Sequence, residues 1–345
     1  MKAWLLDDLA GLQALRLAEC PDPAPGPGEV LLQVHYAALN PADRYLAERQ
    51  YPAKPRLPHI LGRDGFGSVL ELGNSNLRVG ERRAVLRGDV GGDRPGTFAE
   101  RVALPAESLV EVPAAWTAPE AAGATLVYLT AYQALTMWGE LPGPSVVLIT
   151  GASGGVGVAA VQLAAAMGHL VVGLSRSADK ARRLEQIGAR HLFNPEDTNW
   201  RQAAKAALAP RRVDLAIDNI GGKLLPQVIE LLGEQGKVSL VGRLSGPVPE
   251  FNTATLFFRR VRLGGVAVGA YTNSEAHAAW RQVLELLART RARPFVDSIF
   301  PFEQLPRAFE RLAQGPFGKV VLEVGSSESA VGSQSALPSS QRPPE

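Results

Sequence analysis

Residues 150–157 read Thr150-Gly151-Ala152-Ser153-Gly154-Gly155-Val156-Gly157, the densest chemical signal in the chain. The branched apolar run Ser145–Thr150 precedes them and the uncharged run Val158–Ala166 follows, so the glycines mark a turn from strand to helix. Ala152, Gly154 and Gly157 fit the spacing of a dinucleotide-binding turn whose first glycine is replaced by alanine. Small residues there permit a tight bend, bring backbone N–H groups close to a pyrophosphate, and let the helix pack on the strand. Ser153, Gly155 and Val156 complete the phosphate-binding run.

The same residues satisfy a rival pattern. Gly151-Ala152-Ser153-Gly154-Gly155 is also G-x-S-x-G, the nucleophile turn of serine hydrolases, and Asp218 and His277 follow Ser153 in the chain order of that triad. No HGGG-type oxyanion segment precedes Ser153, His277 falls in a helical stretch, and Gly157 would have no role. A nucleotide-binding protein without turnover is a further alternative, because fold alone does not guarantee catalysis.

About twenty residues past the turn, an NAD site places an acid that accepts from the ribose 2′-hydroxyl. Here the strand ends Leu174-Ser175-Arg176-Ser177, with Lys180 close behind. With no acid at the strand end and two cations to meet it, the 2′-phosphate of NADPH is favoured. Catalytic zinc needs three converging ligands. Cys20 is the sole cysteine, and His59 and Asp64 have no second cysteine near them, so no metal site is expected.

These residues require a scaffold, and the chain alternates accordingly. From Ser145, strand runs SVVLIT, LVVGLS, HLF, VDLAID, KVSLV and RLGGVAV are separated by helical stretches, the pattern of a doubly wound parallel sheet. Residues 1–120 carry short alternating runs broken by Pro and Gly, the texture of a compact β domain. After Ala270 an amphipathic helix leads to a late strand, GKVVLEV, which should rejoin the first domain. The last twenty residues hold seven Ser and no aromatic, so disorder is expected for 326–345.

The chain has 345 residues, 46% of them apolar, enough for two domains with real cores. Its 36 basic and 34 acidic residues leave a net charge of +2, which gives no field to attract nucleic acid or an anionic membrane. Two uncharged stretches, Ala121–Gly139 and Leu141–Ser175, are long enough to span a bilayer. The second contains two prolines and the glycine turn, so buried strands and helices explain it better. One cysteine and an acidic N-terminal segment with no signal-peptide core suggest the cytoplasm.

With these motifs in hand, the chain resembles the medium-chain dehydrogenase/reductase superfamily, in its zinc-independent quinone oxidoreductase branch. The resemblance rests on Asn40-Pro41-Ala42-Asp43, LPHILGRDGFGSV, GTFAERVALP, LVYLTAYQAL, LITGASGGVGVAAVQLA, DNIGG and GKVVLEV, and spans residues 1–324. It implies a GroES-like, partly opened β-barrel over 1–121 that resumes over 271–325, and a Rossmann-type NADP-binding domain over 122–270. Zinc-dependent relatives carry a Cys near Asn40 and a His-Glu pair where Arg63-Asp64 stands here.

By the same resemblance, Asn40 contacts the nicotinamide region and Tyr51 matches a tyrosine of enoyl reductase relatives, a proton donor in an enone reduction. Thr130 should lie near the nicotinamide or its phosphates. Asn219, Val241, Gly242 and Arg243 end strands whose loops line the ribose sites; Val266 and Val268 end the sixth strand at the nicotinamide. Lys319 reaches toward the cofactor phosphates. Some relatives have a tyrosine after the third strand where this chain has Asn194-Pro195, which leaves the phosphate pocket to Arg176 and Lys180. The implied reaction is hydride transfer from NADPH to a small electrophile: a quinone, an enone or an enoyl thioester. The implied assembly is a homodimer through the sheet edge near 261–268.

Overall fold

A computed structural model describes residues 1–87, 89–246 and 251–325. The tail expected to be disordered, 326–345, lies outside them. The first part of the chain contains strands β1 (Lys2–Leu6), β2 (Leu15–Glu19), β3 (Glu29–Ala38), β4 (His59–Ile60), β5 (Asp64–Leu72), β6 (Arg82–Val85), β7 (Arg101–Pro105) and β8 (Leu109–Val110). Helix α1 (Pro41–Ala47) follows β3, and α2 (Ala118–Ala122) follows β8. Helix α3 (Thr125–Thr136) then leads into β9 (Val146–Ile149), α4 (Gly155–Ala166), β10 (Leu170–Leu174), α5 (Ala178–Gln186), β11 (Ala189–Phe193) and α6 (Trp200–Leu208). Next come β12 (Val213–Asp218), α7 (Leu224–Ile229), β13 (Leu232–Leu240), α8 (Ala254–Phe257) and β14 (Arg262–Gly265). The described chain ends with α9 (Asn273–Thr290), β15 (Val296–Pro301), α10 (Leu305–Ala313) and β16 (Lys319–Glu323).

Strands β9–β14 form one parallel sheet in the order β11-β10-β9-β12-β13-β14. This is the doubly wound order, with its reversal between β9 and β12. β9 shows why the chain has so long an uncharged run. Val146 and Leu148 enter the core shared with α6 and α7, while Val147 and Ile149 enter the core shared with α3, α4 and α9. A strand buried on both faces has no position for a charge. α4 is nearly as buried, and its Gly and Ala residues let it lie close to the sheet. Among the described residues no helix is long and apolar enough to cross a membrane.

The second sheet has the order β15-β16-β3-β5-β6-β8, with β7 on β3, and β1 pairs with β2 and β4. β16 lies antiparallel to β3, so the late strand does rejoin the first part of the chain. The return is made from β15 onward. α9, before it, buries Ala276, Ala279, Trp280, Val283 and Leu287 in the core shared with α3 and α4. A capping box between Thr272 and Glu275 starts α9. The sixth parallel strand stops at Gly265, so Val266 and Val268 lie beyond it, in a segment that turns at Val268–Ala270.

Candidate cofactor and active site

The glycine turn sits where the sheet order reverses. Thr150 Oγ1 donates to Asp218 Oδ1 (2.7 Å) and accepts from the Asn219 N–H (2.9 Å), while Asn219 Nδ2 donates to the Thr150 carbonyl (2.8 Å). These bonds tie the carboxyl ends of β9 and β12 together. Gly151 has φ +56°, a left-handed conformation that disfavours a side chain. A Cβ on Gly157 would lie 2.2 Å from the Gly151 carbonyl, so only glycine lets α4 approach the bend. Gly154 caps α4 without a side chain and no acid stands in the first turn, which leaves the helix's first N–H groups and positive dipole end for an anion. Ala152 is fully buried, and its N–H donates to Leu174 O (3.3 Å). The Ser153 carbonyl accepts from the Gly318 N–H (2.9 Å), fastening the bend to the start of β16.

Directly beside it is a buried ionic cluster. Lys319 Nζ donates to Asp64 Oδ2 (2.9 Å) and Asn40 Oδ1 (2.6 Å), and Asn40 Nδ2 donates to the same Asp64 oxygen (3.0 Å). Asp64 Oδ1 accepts from Thr125 Oγ1 (3.1 Å) and the Leu126 N–H (3.2 Å) at the start of α3. All three members are almost fully buried. Lys319 Cδ would be 3.0 Å from a Cβ on Gly155, so the ammonium's stem runs along the glycine turn. The site therefore joins β3, β5, β16 and α3 at one point. Both polar atoms of the Asn40 side chain are engaged there.

Around this cluster lie groups shifted by burial. Asp43, on α1, is fully buried; it accepts from the Asn40 N–H (2.8 Å) and faces Arg63 Nε at 3.9 Å. Desolvation outweighs the Arg63 charge and pushes Asp43 up to about 6. Arg63 lies over the Tyr51 ring, 4.1 Å from its centroid, and donates to the Tyr51 hydroxyl (3.3 Å). Arg243 reaches the same segment from the other side: it donates to Gln50 Oε1 (3.1 Å) and stands 5.6 Å from the centre of the Tyr45 ring.

Two regions of the chain match family descriptions: residues 26–114 the alcohol dehydrogenase GroES-like domain, and 155–289 the zinc-binding dehydrogenase. The synaptic vesicle membrane protein VAT-1 homolog of Rattus norvegicus is 31% identical over 94% of this chain and 84% of its own length. The chain belongs to the medium-chain dehydrogenase/reductase superfamily. A quinone oxidoreductase of Sus scrofa is 28% identical over 87% of the chain and 90% of its own length. Two solved structures overlay most of this dehydrogenase/reductase. An NAD-dependent alcohol dehydrogenase has a TM-score of 0.85 at 28% identity, over 94% of this chain and all of its own. A mycobacterial protein complexed with NADPH has 0.84 at 26%, again over 94% and all of its own. The expected fold class, a Rossmann-type sheet with a GroES-like domain, is thus borne out, and the protein is an oxidoreductase with a nicotinamide cofactor.

Several expected site residues need restating for this dehydrogenase/reductase. The hydrolase alternative fails on geometry: Asp218 is held by Thr150 and the Ile220 and Gly221 N–H groups, while His277 Nε2 donates to the Glu107 carbonyl (2.7 Å) at the first domain. Ser153 has neither beside it. Thr130 Oγ1 donates to Leu126 O (2.7 Å), its own helix backbone. Ser175 Oγ donates to Ser177 O (3.2 Å) and shapes the entry to α5. Lys180 Nζ donates to the Gly315 carbonyl, and burial lowers its pKa. Arg176 is exposed and pairs with Glu196 at 3.5 Å. Val241 and Gly242 donate their N–H groups to Asp218 O and so close on the reversal point.

Three functional features were not singled out from the sequence. Asp64 entered only as a poor zinc ligand, yet an acid opening the otherwise uncharged run Asp64–Leu70 signals a buried counter-charge, and Lys319 at the head of VVL is its complement. Glu196 supplies, from the loop after β11, an acid next to Arg176. Asp43 was visible only as part of the Asn40–Asp43 motif. At the positions where zinc-dependent relatives carry ligands, this chain places the Lys319 ammonium between Asn40 and Asp64. Among the described residues no group of three or more His, Cys, Asp or Glu side chains could hold a metal ion.

Proposed function

We propose that this protein is a cytoplasmic, zinc-independent NADPH-dependent reductase that delivers hydride to a conjugated electrophile such as a quinone, enone or enoyl thioester. The observation that carries it is the uncapped start of α4, where a Cβ at position 157 would overlap the Gly151 carbonyl. This cradle fits a pyrophosphate: the main-chain N–H groups of Ser153, Gly155, Val156 and Gly157 would hold it, with Ala152 and Gly154 shaping the bend through their own backbone bonds and Lys319 alongside. Bound NADPH supplies a hydride from C4 of the nicotinamide to the electron-poor carbon of the acceptor. The chain's residues do the rest by placement and water exclusion. Val241, Gly242, Val266 and Val268 would line the ribose and nicotinamide, and Asn219 the adenosine side.

Tyr51, whose hydroxyl is held by Arg63, is the donor of the proton that completes the reduction. The Asn40–Asp64–Lys319 cluster fixes the floor of the cleft between the two sheets and supplies the cation that faces the phosphates. Arg176 is the partner for the 2′-phosphate. NADPH oxidation followed at 340 nm with a panel of quinones, enones and enoyl thioesters tests the reading; tight NADPH binding with no acceptor-dependent oxidation would support a nucleotide-binding protein without turnover instead.

A further inference from the structure

Four guanidinium nitrogens beside the site make no hydrogen bond among the described residues. Arg63 Nε and Nη2 and Arg87 Nε and Nη1 are buried and, among the described residues, have no hydrogen-bond acceptor. A buried charged donor without a partner is costly, and a native protein that keeps several has a reason for them. Their positions coincide. β5 and β6 are antiparallel with Phe66 opposite Ala84, and Arg63 and Arg87 each lie three residues beyond that pair, off the same end of the ladder. That end opens on the site. Asp64, next to Arg63, holds Lys319, and Arg63 itself covers Tyr51. Arg87 Nη2 crosses to the Gly269 carbonyl (3.2 Å), just past the segment expected at the nicotinamide.

Nearby acids do not neutralise this pair. Asp43 stands off Arg63 by 3.9 Å and gives its other oxygen to the Asn40 N–H. Glu275, the acid nearest Arg87 in charge terms, is bonded through its carboxylate to the Thr272 N–H and hydroxyl (2.7 and 2.8 Å). Lys319 is matched by Asp64. Arg63 and Arg87 thus carry two planar forks, each with unbonded nitrogens, suited to carboxylate or phosphate oxygens.

We infer that the acceptor carries an oxyanion, a carboxylate or a phosphate, and that Arg63 and Arg87 recognise it. This rests on the reductase reading for the reaction, though not for the binding. The test compares matched pairs: 4-oxopent-2-enoate against its methyl ester, and a butenoyl thioester of coenzyme A against the same acyl group on N-acetylcysteamine. The expected result is a kcat/KM at least about tenfold higher for the anionic member of one pair, which also tells carboxylate from phosphate. Arg87→Gln should bring that ratio toward one through KM, with NADPH affinity by calorimetry kept near wild type; Arg63→Gln should lower the ratio too, and should also lower kcat for both members of a pair because Arg63 holds Tyr51. Equal ratios in the wild type, or variants that lose NADPH affinity instead, overturn the inference. Should no acceptor turn over, the reductase reading fails alone: calorimetry of the NADPH-loaded protein with 4-oxopentanoate, coenzyme A and their uncharged counterparts still decides whether an anion binds and whether Arg87→Gln abolishes it. Thermal melts establish that each variant is folded.

Discussion

Asp64 and Lys319 join β5 and β16, the two strands that flank β3, and Asp64 ties them to the start of α3. Each is nearly inaccessible, so removing one leaves the other's charge buried without its partner. Lys319→Met or Asp64→Leu alone should lower unfolding free energy by about 3–5 kcal/mol, and the double change should cost less than the sum of the two, measured by denaturant titration. On the proposed reading, coenzyme choice rests on a second pair. Arg176 faces Glu196, whose charge opposes a 2′-phosphate, so Glu196→Gln should raise the NADPH over NADH ratio in kcat/KM and Arg176→Asp should lower it, each by about tenfold. An unchanged ratio in Arg176→Asp would refute the assignment of the 2′-phosphate to that side chain.

Two buried groups give pH a sign at this scale. Asp43 is raised to about 6 from an ordinary value of 3.8, so the folded state holds its proton more tightly than the unfolded chain and stability falls as pH climbs from about 4 to 6. His59 is lowered to about 4 by burial from 6.5, so its contribution is present above 6.5 and lost as pH falls toward 4. Each amounts to about 3 kcal/mol, and in the wild type they oppose one another. Asp43→Asn should therefore make stability rise with pH across 4–6.5, and His59→Gln should make it fall, by chemical denaturation at stepped pH. Parallel profiles for the two variants would contradict both assignments.

At the scale of elements, the β9–turn–α4 unit is where sequence and structure agree most closely. Its strand is buried on both faces, its bend needs a left-handed Gly151, and its helix approaches so closely that Gly157 tolerates no side chain. Gly157→Ala should weaken NADPH binding by about tenfold or more and lower the melting temperature, because either the bend or the helix must move. Elsewhere the elements are shorter than their sequence runs suggest. KLLPQVIELL yields a helix only over Leu224–Ile229, since Leu232 is claimed by β13, and ATLFFRR gives only Ala254–Phe257. In the first case the pairing of a parallel strand takes a residue that local propensity assigns to the helix; in the second a left-handed Arg260 (φ +53°) turns the chain before β14 begins at Arg262.

For the whole molecule, the outer strand β14 ends the parallel sheet, and Phe257 and Phe258 beside it are 62% and 80% exposed with their rings in contact at 4.4 Å. A strand edge unpaired among the described residues, next to two exposed aromatics in contact, is the kind of surface the proposed homodimer needs. Light scattering should give twice the chain mass, and Phe258→Asp should shift it toward the monomer; a monomeric wild type would remove the dimer from the proposal.

The alternation of strand and helix, the spacing of Ala152, Gly154 and Gly157, and the absence of charge from 141 to 175 determined the parallel sheet and its glycine turn, because these follow from local sterics and burial that a linear pattern records. The pairing of Lys319 with Asp64, the isolation of Ser153 from Asp218 and His277, the acid beside Arg176 and the place of Arg63 and Arg87 off one end of the β5–β6 ladder were decided only by tertiary structure. Each depends on residues between 20 and 255 positions apart or on the ends of paired strands, and a charge's partner across such a distance is set by which strands lie near one another within a sheet.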